Sequence, residues 1–131
     1  MRAITRRVGG KLEQTIAIRS HRLTADEPRE SGGEDAGPSP QELLAASLAS
    51  CTAITMEMYA DRKGWDVGEI VIDVHYEPAQ RGSPTRFTMD MQLPKELPDD
   101  QRNRLTQIAA KCPVHRTLEG EVMFEESVTL R

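Results

Sequence analysis

Residues 37–64 read GPSPQELLAASLASCTAITMEMYADRKG and contain the clearest helix signal in the chain. Ser39 has the character of an N-cap, Pro40 fits the first helical position, and Glu42 is placed to close a capping box. Two cations and a glycine at residues 62–64 suit the C-terminal end of a helix. The stretch therefore predicts one long helix between these two ends.

This helix is predicted to be buried on more than one side. Ser47, Ser50, Thr52 and Glu57 interrupt its apolar run, which falls short of the ~20 residues that a membrane span requires. We therefore expect a core helix and no membrane association. The predicted stripe consists of Leu44, Leu48, Cys51, Thr55 and Met58, with Ala45, Ala46, Ala49 and Ala53 as a second smooth face.

The flanking sequence predicts strands and one further helix. In chain order we expect a hairpin within residues 1–26, a turn-rich loop at 27–39, strands at 69–78 and 86–93, a helix opening at 98–100, and a strand at 121–130. The order β-β-(β)-α-β-β-α-β predicts an α+β fold, with an antiparallel sheet packed on two core helices. We expect a single domain covering residues 1–131.

Composition limits the functions that the chain can have. Its 131 residues include 17 Lys and Arg against 21 Asp and Glu, a net charge of −4, so no basic field exists to attract nucleic acid. Hydrophobic residues make up only 37% and aromatic residues 4%, which favours an oligomer in which a second chain covers apolar surface. The charged N-terminus is not followed by an apolar run, so we expect a cytoplasmic protein.

The two cysteines, Cys51 and Cys112, are the candidates for chemistry. Both fall on predicted core-facing stripes, on two different helices that can pack against the same sheet, so the thiols could meet. A disulfide requires Cα atoms within ~4.4–6.8 Å, which the sequence does not determine. The alternative is that each cysteine is simply a small buried apolar residue.

Residues 111–116, KCPVHR, favour chemistry at Cys112. If Pro113 begins a new helical turn, Cys112 is its N-cap, where exposed amides and nearby cations stabilise a thiolate. Cys112 and His115 also have the spacing of half a metal site, but the remaining ligands, Cys51, His21 and His75, would come from unrelated elements. A zinc site is therefore disfavoured, and no cofactor-binding motif is present.

Residues 37–53 and 111–115, taken together, resemble the OsmC/Ohr family, in its OsmC-like branch. The resemblance implies an intertwined homodimer with active sites at the subunit interface and a cysteine-based hydroperoxide reductase activity. In that mechanism Cys51 attacks the peroxide and becomes a sulfenic acid, and Cys112 captures it as a disulfide. The resemblance also implies an organic hydroperoxide as substrate and an external dithiol or lipoyl-type compound as reductant.

The resemblance further implies an arginine beside the reactive thiolate and a glutamate near it. Arg29 in the 27–39 loop matches the arginine of the OsmC branch, whereas the Ohr branch places its arginine where this chain has Lys11. The family glutamate directly follows the proline, where this chain has Gln41, so Glu42 is one residue away. Nine residues along a helix put Glu42 on the face opposite Cys51, ~13 Å away along the axis, so Glu42 could act only by orienting Arg29 or across a dimer.

Three functions remain in competition. The first is a thiol-dependent peroxidase for organic hydroperoxides, with apolar walls around the cysteines from Leu48, Met56, Met58 and Ile108. The second is a dimer without peroxidase activity that binds a small apolar ligand, which the residue Gln41 favours. The third is a redox-sensing or structural dimer with a slow disulfide.

Overall fold

The computed structural model describes all 131 residues and contains two antiparallel sheets and three α-helices, which confirms the α+β class. The prediction of one sheet on two helices is wrong, because the strands form two separate sheets and a short third helix follows the second. The elements are β1 (Ile4–Arg7), β2 (Gln14–Ile18), β3 (His21–Ala25), α1 (Pro40–Lys63), β4 (Val71–Glu77), β5 (Arg86–Gln92), α2 (Asp99–Ala109) and α3 (Pro113–Glu119).

The N-terminal region is a three-stranded antiparallel sheet in the order β1-β2-β3. Ile4 pairs with Ala17 in the first ladder and Ile18 pairs with His21 in the second. Gly9 adopts a positive φ of 49° in the turn between the first two strands, a conformation that glycine takes without steric cost. The predicted hairpin is confirmed, and the third strand is a direct continuation of it.

The loop between β3 and α1 is organised by the buried carboxylate of Asp26. Its two oxygens accept backbone N–H bonds from Glu27 at 2.8 Å, Glu34 at 3.2 Å and Ala36 at 3.1 Å. The N–H of Ala36 is the strongest of the bonds that lower the pKa of Asp26, and those from Glu27 and Glu34 add to it. This turn-rich segment is therefore an ordered loop, although it contains only one short 3₁₀ turn, Arg29–Ser31.

Helix α1 begins as the sequence predicts. The backbone N–H of Glu42 donates to the Ser39 hydroxyl at 3.1 Å, and the Ser39 N–H donates to the Glu42 carboxylate at 2.9 Å. These reciprocal bonds form a capping box, and the Ser39 N–H lowers the pKa of Glu42. The helix ends at Lys63, and Gly64 follows it with a positive φ of 70°.

The buried face of α1 differs from the predicted stripe. The fully buried residues recur every four positions, at Leu48, Thr52, Met56 and Ala60. Cys51 and Thr55 are only half-buried, and Met58, predicted to be buried, is 57% exposed in the single chain. The prediction that the helix is buried on more than one side is therefore wrong for an isolated chain. The apolar pattern of the sequence could not distinguish a helix face that this chain covers from a helix face that is exposed in the single chain.

The chain divides into two compact units. One comprises residues 1–46 and 75–87, and the other comprises residues 47–74 and 88–131. The second unit contains the main hydrophobic core, in which Met56 and Leu105 are completely buried. Around them pack Ala60, Val67, Ile70, Leu97 and Ala109, with Tyr59, Trp65, Ile72, Met91 and Leu93 at the edge.

Strands β4 and β5 form the predicted hairpin, and α2 opens near the predicted residues. Helix α2 ends at Ala109, however, so Cys112 does not lie on its stripe. Cys112 is instead the N-cap of α3, with Pro113 at the first helical position, as the alternative interpretation of this motif predicts.

The predicted C-terminal strand is wrong for the isolated chain. Residues 121–131 have no regular secondary structure and are exposed throughout. Met123 and Phe124 are 85% and 82% exposed, and Val128 and Leu130 about as much. The alternating pattern of a strand is present, but no neighbouring strand of this chain supplies the ladder that such a segment needs.

Helix α1 is long and apolar enough to cross a membrane by length and composition alone. Core helices of soluble proteins meet the same criterion. The helix also carries charged residues at both ends, with Glu42 in its first turn and Arg62 and Lys63 in its last.

Candidate active site

The structure places the two free cysteines, Cys51 and Cys112, close to each other. Cys51 lies in the middle of α1 and is half-buried, whereas Cys112 precedes α3 and has no exposed surface. The two thiols are near each other, and a disulfide between them stays a prediction. Only the Cys51 thiol lies where a molecule from solvent can approach it.

The position of Cys112 follows from the sequence around it. Because Pro113 has no N–H to give and cannot continue the preceding turn, the chain restarts a helix there. The Cys112 sulfur then accepts the backbone N–H of His115 at 3.4 Å. The backbone thus fixes the sulfur in place as an acceptor.

The surroundings shift the pKa values of the two thiols in opposite directions. Partial burial raises the pKa of Cys51, and the neighbouring Cys112 thiol raises it further. Burial alone would raise the pKa of Cys112 as well, but the S–H of Cys51 and the N–H of His115 outweigh it and lower that pKa. Thr52 also lies against this sulfur, but its hydroxyl donates to the Leu48 carbonyl at 2.8 Å, so we assign the effect to the other two donors.

A cavity of about 380 Å³ lies beside the cysteine pair in the second unit. Two residues next to the cysteines form part of its wall, namely Thr55, one helical turn after Cys51 on α1, and Pro113, which directly follows Cys112. Met58 and Ile108 contribute apolar surface, as predicted, whereas Leu48 and Met56 are buried in the helix packing. The cavity offers apolar surface close to the cysteine pair.

The far side of the cavity is cationic, which the sequence analysis missed. Arg62, Arg104 and Lys111 line it together with Tyr59, and no carboxylate lies among the lining residues. Arg104 Nε donates to the Tyr59 hydroxyl at 2.9 Å and, together with Lys63 and Lys111, lowers the pKa of that phenol. The sequence does hold a signal for Arg62, because it continues the helical stripe of Cys51, Thr55 and Met58.

The other predicted site residues lie in the first unit. Arg29 is exposed at the start of the 3₁₀ turn in the loop held by Asp26, and Lys11 is exposed in the β1–β2 turn. The Lys11 backbone N–H donates to Glu34 at 3.2 Å. Glu42 closes the capping box of α1. The structure thus shows a helix-capping role for Glu42, while the predicted roles of both Arg29 and Glu42 toward the thiolate stay predictions.

The half metal site suggested by Cys112 and His115 is not assembled. The His115 imidazole bonds Glu119, with 2.7 Å between Nε2 and Oε1, and its contact with the sulfur is made by the backbone N–H. No group of three or more His, Cys, Asp or Glu side chains is placed to hold a metal ion.

Comparison with known proteins places this arrangement in a family. Residues 32–127 match the family model described as OsmC-like protein. An uncharacterised protein of Haloferax volcanii is 27% identical over 97 residues, which cover 72% of this chain and 74% of that protein.

Two solved structures share the fold at low sequence identity. The first is a Psychrobacter arcticus protein named for an osmotic stress and detoxification response, with a TM-score of 0.73 and 23% identity over 88% of this chain and 85% of that one. The second is the organic hydroperoxide resistance protein OhrB of Bacillus subtilis, with a TM-score of 0.60 and 20% identity over 91% of this chain and 90% of that one.

Proposed function

Because the chain belongs to the OsmC-like family, we propose that it is a thiol-dependent hydroperoxide reductase that acts on organic hydroperoxides. The observation that carries the proposal is the pair of neighbouring free thiols, one partly exposed and one fully buried. A peroxidatic thiol must meet its substrate, and a resolving thiol must lie within reach of the oxidised sulfur. Cys51 fits the first requirement and Cys112 the second.

The reaction begins with attack of the Cys51 thiolate on the terminal peroxide oxygen. The O–O bond breaks, the sulfur is oxidised to a sulfenic acid, and the alkoxide leaves as the alcohol after taking a proton from water. The Cys112 sulfur then attacks the sulfenic sulfur of Cys51, the S–O bond breaks, and the hydroxyl group leaves as water with the proton of the Cys112 thiol, which gives the disulfide. An external dithiol or lipoyl-type compound reduces this disulfide and closes the cycle. The cavity supports an organic substrate, because Met58 and Ile108 offer apolar surface beside the thiol.

We assign Arg29 to the thiolate environment and Glu42 to the support of Arg29, and we infer that the active unit is a homodimer in the cytoplasm. The exposed apolar surface supports the dimer, because Ile54 and Met58 on α1 are more than half exposed. Residues 121–131 add an apolar segment that lacks a partner strand. A second copy can cover both surfaces.

The test is anaerobic thiol counting before and after one equivalent of cumene hydroperoxide, followed by dithiol-driven turnover. The wild type is expected to lose two thiols rapidly and to sustain turnover. Cys51→Ser is expected to show no fast reaction with the peroxide, because no nucleophilic thiol remains at the partly exposed position. Cys112→Ser is expected to accumulate a trappable sulfenic acid.

Thiols that survive the oxidant in the wild type would contradict the proposal. The family fold would then serve as a ligand-binding dimer, and the cavity beside the cysteines would be the place to look for the ligand.

A further inference from the structure

The first unit contains a buried carboxylate that the proposed reaction does not use. Asp26 follows β3 directly and is only 3% exposed. A carboxylate is costly to bury unless hydrogen bonds replace the water that it loses. No cation pairs with Asp26. Its charge is satisfied instead by the backbone N–H groups of Glu27, Glu34 and Ala36, at 2.8–3.2 Å.

These three N–H groups lie on both sides of the short turn that carries Arg29. One donor precedes the 3₁₀ turn Arg29–Ser31, and the other two follow it. A backbone bond closes the loop at the same place, because the Asp35 N–H donates to the Glu27 carbonyl at 3.1 Å. The Asp26 carboxylate therefore joins the two ends of the segment that carries Arg29.

The loop backbone packs directly against this carboxylate at Gly33, which is buried. A Cβ at this position would lie 2.7 Å from Asp26 Oδ1 and would overlap the Glu27 carbonyl oxygen. Only glycine fits there without a shift of the backbone. The Gly33 N–H also donates to the Pro28 carbonyl at 3.2 Å, directly before the turn. The path of the loop is therefore closely fixed.

The Arg29 side chain takes no part in this network. Its backbone belongs to the turn, because its carbonyl accepts the Gly32 N–H at 3.0 Å. Its guanidinium is exposed and forms no ion pair within the chain. A guanidinium is always charged and presents several donors, so Arg29 is available to bind an anion. The loop thus combines a fixed backbone with an unpaired cation.

We propose that Asp26 is a positioning residue for Arg29, because its carboxylate fixes the backbone from which the guanidinium reaches the Cys51 thiolate. This inference rests on the proposed function, which assigns Arg29 to that thiolate, and deepens it by naming the group that holds the arginine. Glu42 is assigned to support Arg29 itself, whereas Asp26 acts on the loop backbone. A cation beside a thiolate lowers its pKa, so a displaced Arg29 would leave Cys51 less ionised.

A double-mutant cycle tests the proposal in a Cys112→Ser background, where Cys51 is the only thiol. Asp26→Asn keeps the size of the side chain, but its NH₂ group cannot accept a backbone N–H bond. Stopped-flow oxidation by cumene hydroperoxide at pH 7 is expected to slow by at least ~10-fold, since a misplacement of ~1 Å can cost ~100-fold. In an Arg29→Gln chain the same change is expected to cost less than ~2-fold, because the arginine is already lost. An equal loss with and without Arg29 would overturn the proposal.

Thiolate titration, followed by absorbance at 240 nm, gives a readout that a merely structural role would not move. The pKa of Cys51 is expected to rise in Asp26→Asn and in Arg29→Gln, and to rise no further in the double variant. Removal of a negative charge would by itself lower the pKa of a nearby thiol, so a rise indicates a displaced cation. A Cys51 pKa that does not change in Asp26→Asn would overturn the proposal.

Asp35→Asn is the matched control, since it makes the same chemical change in the same loop. Asp35 is exposed and has a positive φ of 56°, which asparagine tolerates. Its oxidation rate and Cys51 pKa are expected to match those of the chain with Asp35. Amide hydrogen exchange of residues 27–36 is expected to accelerate in Asp26→Asn and not in Asp35→Asn. Faster exchange without a change in the oxidation rate would show that Asp26 only stabilises the loop, and would overturn the proposal.

A second variant keeps the test decisive if Asp26→Asn does not fold. Gly33→Ala retains every charge and every acceptor but displaces the loop, so it is expected to show the same loss that depends on Arg29. A Gly33→Ala chain with an unchanged rate and an unchanged Cys51 pKa would overturn the proposal.

The outcomes also separate this proposal from the proposed function. If the wild type does not react with hydroperoxides, the proposed function fails. The titration then decides alone whether Asp26 and Arg29 act together on the Cys51 thiolate.

Discussion

Two helices of this protein begin with the same arrangement of atoms. At the start of α1 the Ser39 side chain accepts the N–H of the residue three positions later at 3.1 Å. At the start of α3 the Cys112 side chain accepts the corresponding N–H at 3.4 Å. A proline occupies the first helical position in both cases. Backbone geometry alone therefore does not distinguish a structural cap from a chemical one.

The two helix starts differ in the other contacts of the capping atom and of the residue three positions after it, which is Glu42 in α1 and His115 in α3. Glu42 returns a bond to the Ser39 N–H through one carboxylate oxygen, which closes the capping box. His115 turns to Glu119 instead, and the Cys112 sulfur is left to face Cys51. A hydroxyl at this position only caps a helix, whereas an ionisable sulfur with the same donors becomes a candidate for catalysis.

The largest expected effect comes from replacing the N-cap of α3, Cys112, by serine, the residue that caps α1. Cys112→Ser keeps a hydroxyl acceptor for the His115 N–H, so we expect the helical circular dichroism and the Tm to stay close to those of the wild type. Turnover with cumene hydroperoxide and a dithiol is expected to fall sharply, because the sulfenic acid on Cys51 can no longer be captured as a disulfide. A variant that keeps wild-type turnover would show that the two helix starts have equivalent roles.

The second prediction concerns the cavity of about 380 Å³. The first residue of α3, Pro113, lines this cavity, whereas no residue from the start of α1 does. Arg104→Gln removes a cation that lines the cavity and contacts Tyr59, so we expect the KM for a carboxylate-bearing hydroperoxide to rise by ~10-fold, as for a lost charge-assisted hydrogen bond. The KM for cumene hydroperoxide, which has no charge, should not change.

Arg102→Gln is the matched control for this prediction. Arg102 lies on the same helix but pairs with Asp99 and does not line the cavity. Equal changes for both hydroperoxides, or an equal effect of Arg102→Gln, would argue against anion binding at Arg104.

The third prediction concerns the start of α1. Ser39→Ala removes the hydroxyl that accepts the Glu42 N–H, and we expect a loss of about 1 kcal/mol in the free energy of unfolding, measured by urea titration. The rate of Cys51 oxidation per folded molecule should stay at the wild-type value. Ser47→Ala, at an exposed position of the same helix, serves as the control and should leave the stability unchanged. A kinetic defect in Ser39→Ala would mean that this cap is more than structural.

The smallest expected effect is the pH dependence of the stability that Glu42 contributes in the capping box of α1. The Ser39 N–H lowers the pKa of Glu42 in the folded state, so this carboxylate stabilises the fold above its unfolded pKa of about 4.3. That contribution is lost as the pH falls through the lower folded-state pKa. Glu42→Gln is expected to reduce the loss of stability between pH 5 and pH 2 in thermal melts. An unchanged acid profile would show that Glu42 is not held by the cap at neutral pH.

Local signals in the sequence predicted the parts of the fold that depend on neighbouring residues. Each of these parts depends on a few adjacent residues. They are the helix caps at Ser39 and Cys112 and the hairpin of β4 and β5. The 121–130 strand and the fully buried α1 were wrong for the single chain, because the apolar pattern does not say which chain supplies the cover. In the site, the sequence left open whether the cysteines come close, because it does not fix the distance between two elements. Arg104 was not predicted, because its partner Tyr59 lies 45 residues away in the sequence.

In the proposed catalytic cycle, the complete burial of Cys112 also determines which sulfur of the disulfide the reductant attacks. In a disulfide between the two cysteines, an incoming reductant thiolate meets only the sulfur of Cys51, since the other sulfur has no exposed surface. The mixed disulfide therefore forms on Cys51, and Cys112 departs as the leaving group. A sulfur whose thiolate is stabilised leaves readily. The same residue that is closed to solvent thus makes regeneration regiospecific, and glutathione-type adducts are expected at one position of the chain.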